Sequence, residues 1–259
     1  MRKLKILGVY REKEKGQNVD GDRAIADAMA NRLRLMGHEV TIVEHFDRYR
    51  GENAVFSLSR SVETLDALEE VEARGVPVIN PPQAIRACID RVALFRALTA
   101  CNAKIPETSS FSLENFHYRF REKVYLKRDA HFGMIGDSVP VGSEKEMNDC
   151  IRAFKRKGTL SVVVQKFVQG PCVKFYGIGK RVIIPDSNVE GATKSIAGKI
   201  CEIARHASSC LGVPVFGGDI ILNSASPFLV DLNEWPSFSA VRDQAATEIS
   251  KLLVGALHA

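Results

Sequence analysis

No apolar run in the 259 residues approaches the roughly 18–20 that a membrane-spanning helix needs, so no partnership with a membrane is expected. The N-terminus, MRKLKILGVY, sets basic residues before an apolar stretch. That stretch is shorter than a signal-peptide core and runs into REKEKG with no small-residue cleavage site. It reads as a first strand, and the expected location is cytoplasmic. Six cysteines stand at 88, 101, 150, 172, 201 and 210. None forms a CxxC pair or a zinc pattern with histidine, which leaves free, mostly buried thiols as the expectation in a reducing compartment. Internal repeats and low-complexity stretches are absent. Basic clusters at Arg119–Lys123 and Lys155–Lys157 flank helix and strand signals, and the net charge is only +5. There is no concentrated basic stripe with aromatic platforms, which argues against nucleic acid and leaves small anionic ligands open.

What is present alternates. An apolar segment at 4–10 precedes a polar loop at 11–20. A helical pattern from Gly21 carries Ile25, Met29, Leu33 and Met36 on one face and stops at Gly37. Strands at 40–43 and 54–58, a helix at 62–74 and a strand at 76–79 follow. This βαβ rhythm predicts a parallel sheet over residues 1–80. Asn80-Pro81-Pro82 punctuates the chain and sets the boundary. A helical stretch then carries Ile85, Ile89, Val92, Phe95 and Leu98 and ends at Ile105-Pro106. Further strands are predicted at 123–128, near Val139, and at 161–168, 173–178, 181–184, 216–222 and 228–232. Helices are predicted at 144–157, where Ser143 and Glu146 form a capping box, at 190–211 and at 239–257. Parallel α/β first and antiparallel hairpins with helices afterwards define the expected α/β (α+β) class.

The chemistry-bearing residues concentrate in that second part. Asp219 lies inside the apolar strand GGDIIL; twelve residues on, Asp231 and then Asn233 lie in FLVDLN. Residues two apart in a strand share a face, and a hairpin partner brings Asp219 to the same side. Two readings are open. The polar pair could simply end a strand before Trp235-Pro236, or the three could supply hard oxygen donors for Mg²⁺. A carboxylate buried within an apolar strand calls for a cation. Lys127 ends another apolar strand just before DAHFGMIGDS, where Gly133 and Gly136 could make turns or let backbone N–H groups cover phosphates. In VVVQKFVQG, the residues Gln165, Lys166, Phe167 and Val168 are either plain core strand or a junction between two lobes offering backbone groups to an adenine edge.

Taken in this order, these segments resemble the ATP-grasp superfamily, nearest its glutathione-synthetase-like and ribosomal-protein glutamate-ligase-like branch, over nearly the whole chain. The resemblance implies an N-terminal parallel-sheet domain at 1–80 and an ATP-grasp domain at 81–259, with a small lid subdomain at about 104–168 and a metal-binding subdomain at 169–259. VPVINPPQAIRACIDRVALFRAL resembles the family's entry helix, with Arg91 where many members carry a phosphate-contacting lysine. VYLKRD resembles the nucleotide-contacting strand, which gives Lys127 that role. VVVQKFVQG resembles the adenine-holding hinge, and CVKFYGIGKRV places Lys174 toward the phosphates. Asp219, Asp231 and Asn233 match the family's metal-binding pattern.

The implied activity is an ATP- and Mg²⁺-dependent ligase. Two metal ions are expected, with Mn²⁺ as an alternative. A small-molecule or peptide carboxylate would be joined to an amine or thiol through an acylphosphate, and relatives are often homo-oligomers. Lys127, Lys174 and Arg91 are the implied catalytic cations. Three features depart from the pattern: a glycine loop poorer in glycine and serine, Lys166 where an acid is common, and a short segment after Lys180. In that segment only Arg181 or Asn188 could replace the usual arginine and asparagine. The short segment keeps a nucleotide binder without turnover as an alternative, and a small-molecule kinase is another.

Overall fold

The computed structural model describes residues 3–12, 20–130, 136–185, 194–223 and 226–257. Gly133, Asn188 and most of the 11–20 loop lie outside them.

The first sheet is built from β1 (Lys5–Val9), β2 (Glu39–Val43), β3 (Ala54–Ser57) and β4 (Val78–Ile79), in the order β2-β1-β3-β4. The pairs β1–β2, β1–β3 and β3–β4 are all parallel. All four residues of β3 are buried, as expected for a strand covered on both faces. α1 (Asp20–Leu35) buries Ile25, Met29 and Leu33 on one face, and α2 (Val62–Ala73) buries Leu68 and Val71 on the other. Beyond Gly37, which takes φ +90°, the chain turns into β2.

The 80–82 punctuation does structural work. Asn80 is fully buried, and its carboxamide clasps one residue of a distant strand from both sides. Its Nδ2 donates to Val215 O at 2.7 Å, and its Oδ1 accepts from Val215 N at 2.8 Å. The helical pattern after it is broken in two, which corrects the expectation of one continuous stretch. α3 (Pro82–Ile89) stops at Asp90, whose backbone is extended and whose carboxylate accepts from Val92 N and Ala93 N. That N-cap starts α4 (Arg91–Ala100) with Arg91 as its first residue.

A four-stranded antiparallel sheet follows, with order β5-β8-β6-β7. It contains β5 (Thr108–Ser112), β6 (Val124–Arg128), β7 (Ser138–Val141) and β8 (Ser161–Lys166), backed by α5 (Glu144–Arg156). At the head of α5, Ser143 Oγ accepts from Glu146 N, while the Glu146 carboxylate reaches back to Gly142 N at 2.7 Å. β5 has no counterpart in the sequence reading: TSSFS carries a single apolar residue and shows no hydrophobic alternation.

The third sheet, ordered β10-β9-β11-β12, holds β9 (Cys172–Ile178), β10 (Arg181–Ile183), β11 (Val215–Leu222) and β12 (Pro227–Glu234). α3, α4 and α6 (Lys194–Leu211) cover its apolar face. α7 (Arg242–Gly255) packs against α1 and joins the first sheet to this one in a shared core around Trp235 and Phe238. No helix among the described residues is long and apolar enough to cross a membrane. All six thiols are free, but only Cys88 and Cys150 are buried; Cys172 is exposed and the other three are half-buried. The expectation that most are buried is corrected accordingly.

Candidate functional site

The free face of the third sheet meets the second sheet in a cleft of about 400 Å³. Register decides what the sheet shows there. Lys174, Asp219 and Asp231 are direct neighbours across β9, β11 and β12, so their side chains share one face. Asn233 lies one row along, opposite Gly217. Lys174 Nζ pairs with Asp219 Oδ1 at 2.9 Å. The Asn233 Oδ1 atom is buried with no hydrogen-bond partner among the described residues.

The pairing of β11 with β12 slips between Asp219 and Ile220: Asp219 faces Asp231 and Ile220 faces Leu229. Val230 is the extra residue of this bulge. Bulges re-aim groups locally, and here the Val230 carbonyl accepts a hydrogen bond from Lys127 Nζ across the cleft. Lys127 is only 4% exposed. Its ammonium lies 5.0 Å from the centroid of the Phe95 ring. Burial pushes Lys127 down to about 8, opposed by Asp231, reinforced by Arg91 and opposed again by Asp219. Arg91 is also buried, and its Nη1 donates to the carbonyls of Asp137, at 3.3 Å, and Arg128, at 3.4 Å. Burial holds its guanidinium below the ordinary arginine value, against the pull of Asp231 and Asp137.

The other end of the cleft is apolar. Tyr125 and Phe167 stack at 5.6 Å with 21° between their rings, and Val168 and Ile221 continue the wall. Gln165 also lines it, although the residue is fully buried. Gly170 closes this end by backbone approach: a Cβ there would sit 2.2 Å from Leu222 O. The site is therefore amphipathic, with an apolar end leading to two cations and two carboxylates.

Of the residues singled out from sequence, Arg91, Lys127, Gln165, Lys166, Phe167, Val168, Asp219 and Asp231 line this one cleft. Lys174 and Asn233 adjoin it on the sheet. Lys166 lines it too, but its ammonium turns to Glu122 at 2.8 Å. Gly136, at φ +86°, serves a turn before β7. Arg181 points away and pairs with Glu248 of α7 at 3.3 Å. Tyr125, Ser138, Cys172, Ile221 and Val230 are lining residues that the sequence reading missed. The strand alternation could have flagged Tyr125, which lies two residues from Lys127 on β6.

A second polar cluster lies where the carboxyl ends of β1 and β3 meet the end of β12. Arg11 pairs with Glu234 at 3.2 Å and with Asp22 at 2.5 Å, and Arg60 Nε also pairs with Glu234. Glu12 accepts from Ser59 Oγ, Arg60 N and Ser61 N. Sequence offered no signal for it, because its partners are up to 223 residues apart.

The chain is similar along its whole length to several solved structures. A D-alanine–D-alanine ligase from Bacillus anthracis matches with a TM-score of 0.78 at 10% identity, covering 98% of this chain and 97% of that one. A RimK domain ATP-grasp protein from Sphaerobacter thermophilus matches at 0.70 and 19% identity, covering 96% and 100%. The VanG D-Ala:D-Ser ligase from Enterococcus faecalis matches at 0.73 and 13%, covering 99% and 100%. No protein-family model matches the chain, and neither does any curated protein. Likeness at such low identity speaks to architecture, and the architecture is the ATP-grasp fold.

Proposed function

We propose that this chain is an ATP-dependent ligase joining a carboxylate to an amine or thiol. The observation that carries the reading is the single cleft in which Arg91, Lys127, Asp219 and Asp231 stand at one end and the stacked Tyr125 and Phe167 at the other. A purine suits an apolar, aromatic end, and a triphosphate calls for cations. The neighbours described as ligases support the same class of reaction. The reading divides the chain at residue 80, with 104–168 closing over nucleotide held on 169–259.

The donor set suits a hard divalent cation. Asp219, Asp231 and the buried Asn233 Oδ1, which has no hydrogen-bond partner among the described residues, offer two carboxylates and an amide oxygen on one face. Such a set leaves coordination positions for phosphate oxygens and water, as Mg²⁺ prefers. Mg²⁺ held there would neutralise charge on the phosphates.

The chain's own residues supply position and field. Lys127 and Arg91 present their N–H groups from a dry wall, where a charge acts more strongly than in water. Lys174 holds Asp219 in place. Gln165 to Val168 and Tyr125 hold the base, fixing the γ-phosphoryl group against a carboxylate at the cleft mouth. Transfer there forms an acylphosphate and ADP; an amine or thiol then attacks the acyl carbon and phosphate leaves. Most of the rate gain comes from holding the groups in line.

The test is ATP binding by calorimetry with and without Mg²⁺, on the wild type and on Asp231→Ala combined with Asn233→Ala. Binding that needs Mg²⁺ and is abolished in the double variant is expected. An absence of wild-type binding sinks the reading. ADP release that depends on an added carboxylate and amine extends it to catalysis.

A further inference from the structure

We infer that Thr108 is a positioning residue that orients the Gln165 carboxamide and thereby sets which purine the cleft accepts. The inference rests on the nucleotide site proposed above. Thr108 of β5 and Gln165 of β8 are direct partners in the second sheet. The Thr108 hydroxyl donates its one proton to the carbonyl of Pro106, a buried residue, at 2.7 Å. With that proton committed, Thr108 Oγ1 can only accept, and it accepts from Gln165 Nε2 at 3.2 Å.

A carboxamide carries donors on one end and an acceptor on the other. Fixing Nε2 on Thr108 therefore fixes Oε1 away from it. That oxygen is buried and has no hydrogen-bond partner among the described residues, on a residue that is fully buried and lines the cleft between Tyr125 and Val168. A buried acceptor without a donor is costly, so the site is built to receive an N–H group.

Among purines this selects the one with an amino group at carbon 6. Adenine offers a donor there. Hypoxanthine and guanine offer a carbonyl, which would place acceptor against acceptor. Reversing the amide to welcome them would turn Oε1 onto Thr108, and the hydroxyl would have to abandon Pro106 to supply a proton. The chain Pro106–Thr108–Gln165 thus acts as an orientation lock, and the part that touches no ligand decides the preference. A carboxylate at 165 would need no lock, since both its oxygens accept. The glutamine makes Thr108 necessary.

The experiment compares the affinities of ATP and inosine triphosphate, which carries a carbonyl at carbon 6, in the presence of Mg²⁺. The wild type should prefer ATP by about tenfold or more, the scale of one buried hydrogen bond and its unpaired acceptor. Thr108→Val removes the hydroxyl but suits a strand, and its preference should fall to within about twofold as the amide becomes free to reverse. Thr108→Ser should retain the wild-type ratio. Thr108→Val combined with Gln165→Glu should recover a preference for ATP. A Thr108→Val protein that binds ATP with an unchanged ratio overturns the inference, and so does a wild type that binds both nucleotides equally. A wild type that binds neither removes the nucleotide site itself, a different failure visible before any variant is made.

Discussion

The polar cluster around Arg11 and the cleft both bury cations, and treat them in opposite ways. At the junction of β1, β3 and β12, Arg11 is 4% exposed and faces the carboxylates of Glu234 and Asp22. Burial alone would lower its guanidinium; Glu234 and then Asp22 more than offset that and hold it above the ordinary value. In the cleft, Lys127 is equally buried, but it hydrogen-bonds a backbone carbonyl and is pushed down to about 8. Arg91 bonds two carbonyls and is also lowered. A guanidinium matched to carboxylates is a fastener. A cation held on neutral dipoles keeps an unspent preference for an anion, and perturbed groups of this kind concentrate in functional clefts.

The contrast is broken most forcefully at Glu234, which is 1% exposed. Glu234→Ala leaves Arg11 and Arg60 without their shared carboxylate, and removal of one partner from a buried pair costs about 3–5 kcal/mol. Urea unfolding should show a loss of that size. Lys127→Met removes a buried charge instead and fills the same space with an apolar chain. Stability should change by less than about 1 kcal/mol or rise, while affinity for ATP falls about 10- to 100-fold, the worth of a charge-assisted contact. If Lys127→Met destabilises the fold as much as Glu234→Ala, Lys127 is a fastener too and the distinction fails.

Titration sharpens the same comparison. The folded chain releases the Lys127 proton near pH 8, whereas an unfolded lysine holds it to about 10.4. Between those values the unfolded chain binds more protons, so this group makes stability rise with pH, by an amount on the order of 3 kcal/mol across the window. Lys127→Met should remove that rise. Nucleotide binding should show the reverse trend. A triphosphate favours the ammonium, so binding takes up protons above pH 8 and affinity falls as pH climbs. Calorimetry in two buffers of different ionisation enthalpy reads the uptake directly, and zero uptake at pH 8.5 would place Lys127 away from the phosphates.

The contrast also marks what sequence can and cannot carry. Strand and helix periodicity locates the parallel sheet, the αβ order and the hairpin of β11 and β12, because each is a local pattern against a one-sided core. Lys127, Asp219 and Asp231 are legible because each is a charge inside an apolar strand, a local anomaly. The bulge at Val230, which gives Lys127 its partner, is invisible, since it depends on which residues of two strands pair. β5 is missed because Thr108-Ser109-Ser110 shows no alternation, and its place is fixed by β8 alone. The break at Asp90 could have been found: Asp followed by a helical run is an N-cap signal. Glu234 could not, for nothing near it in the chain announces Arg11 or Arg60.

The smallest effect is expected at Lys166, where type and sequence position point to the nucleotide and the side chain does not. Its ammonium faces Glu122 at 2.8 Å, with side chains 46% and 51% exposed. An exposed pair of this kind contributes between about 0 and 1 kcal/mol. Lys166 N is already bonded to Glu107 O, so the residue is held at the end of β8 by its backbone. Lys166→Ala should therefore leave ATP affinity within about twofold of wild type, in contrast to Lys127→Met. A large loss would mean that the ammonium leaves Glu122 when nucleotide arrives, and that this surface pair, unlike the Arg11 cluster, is a resting place rather than a fastener.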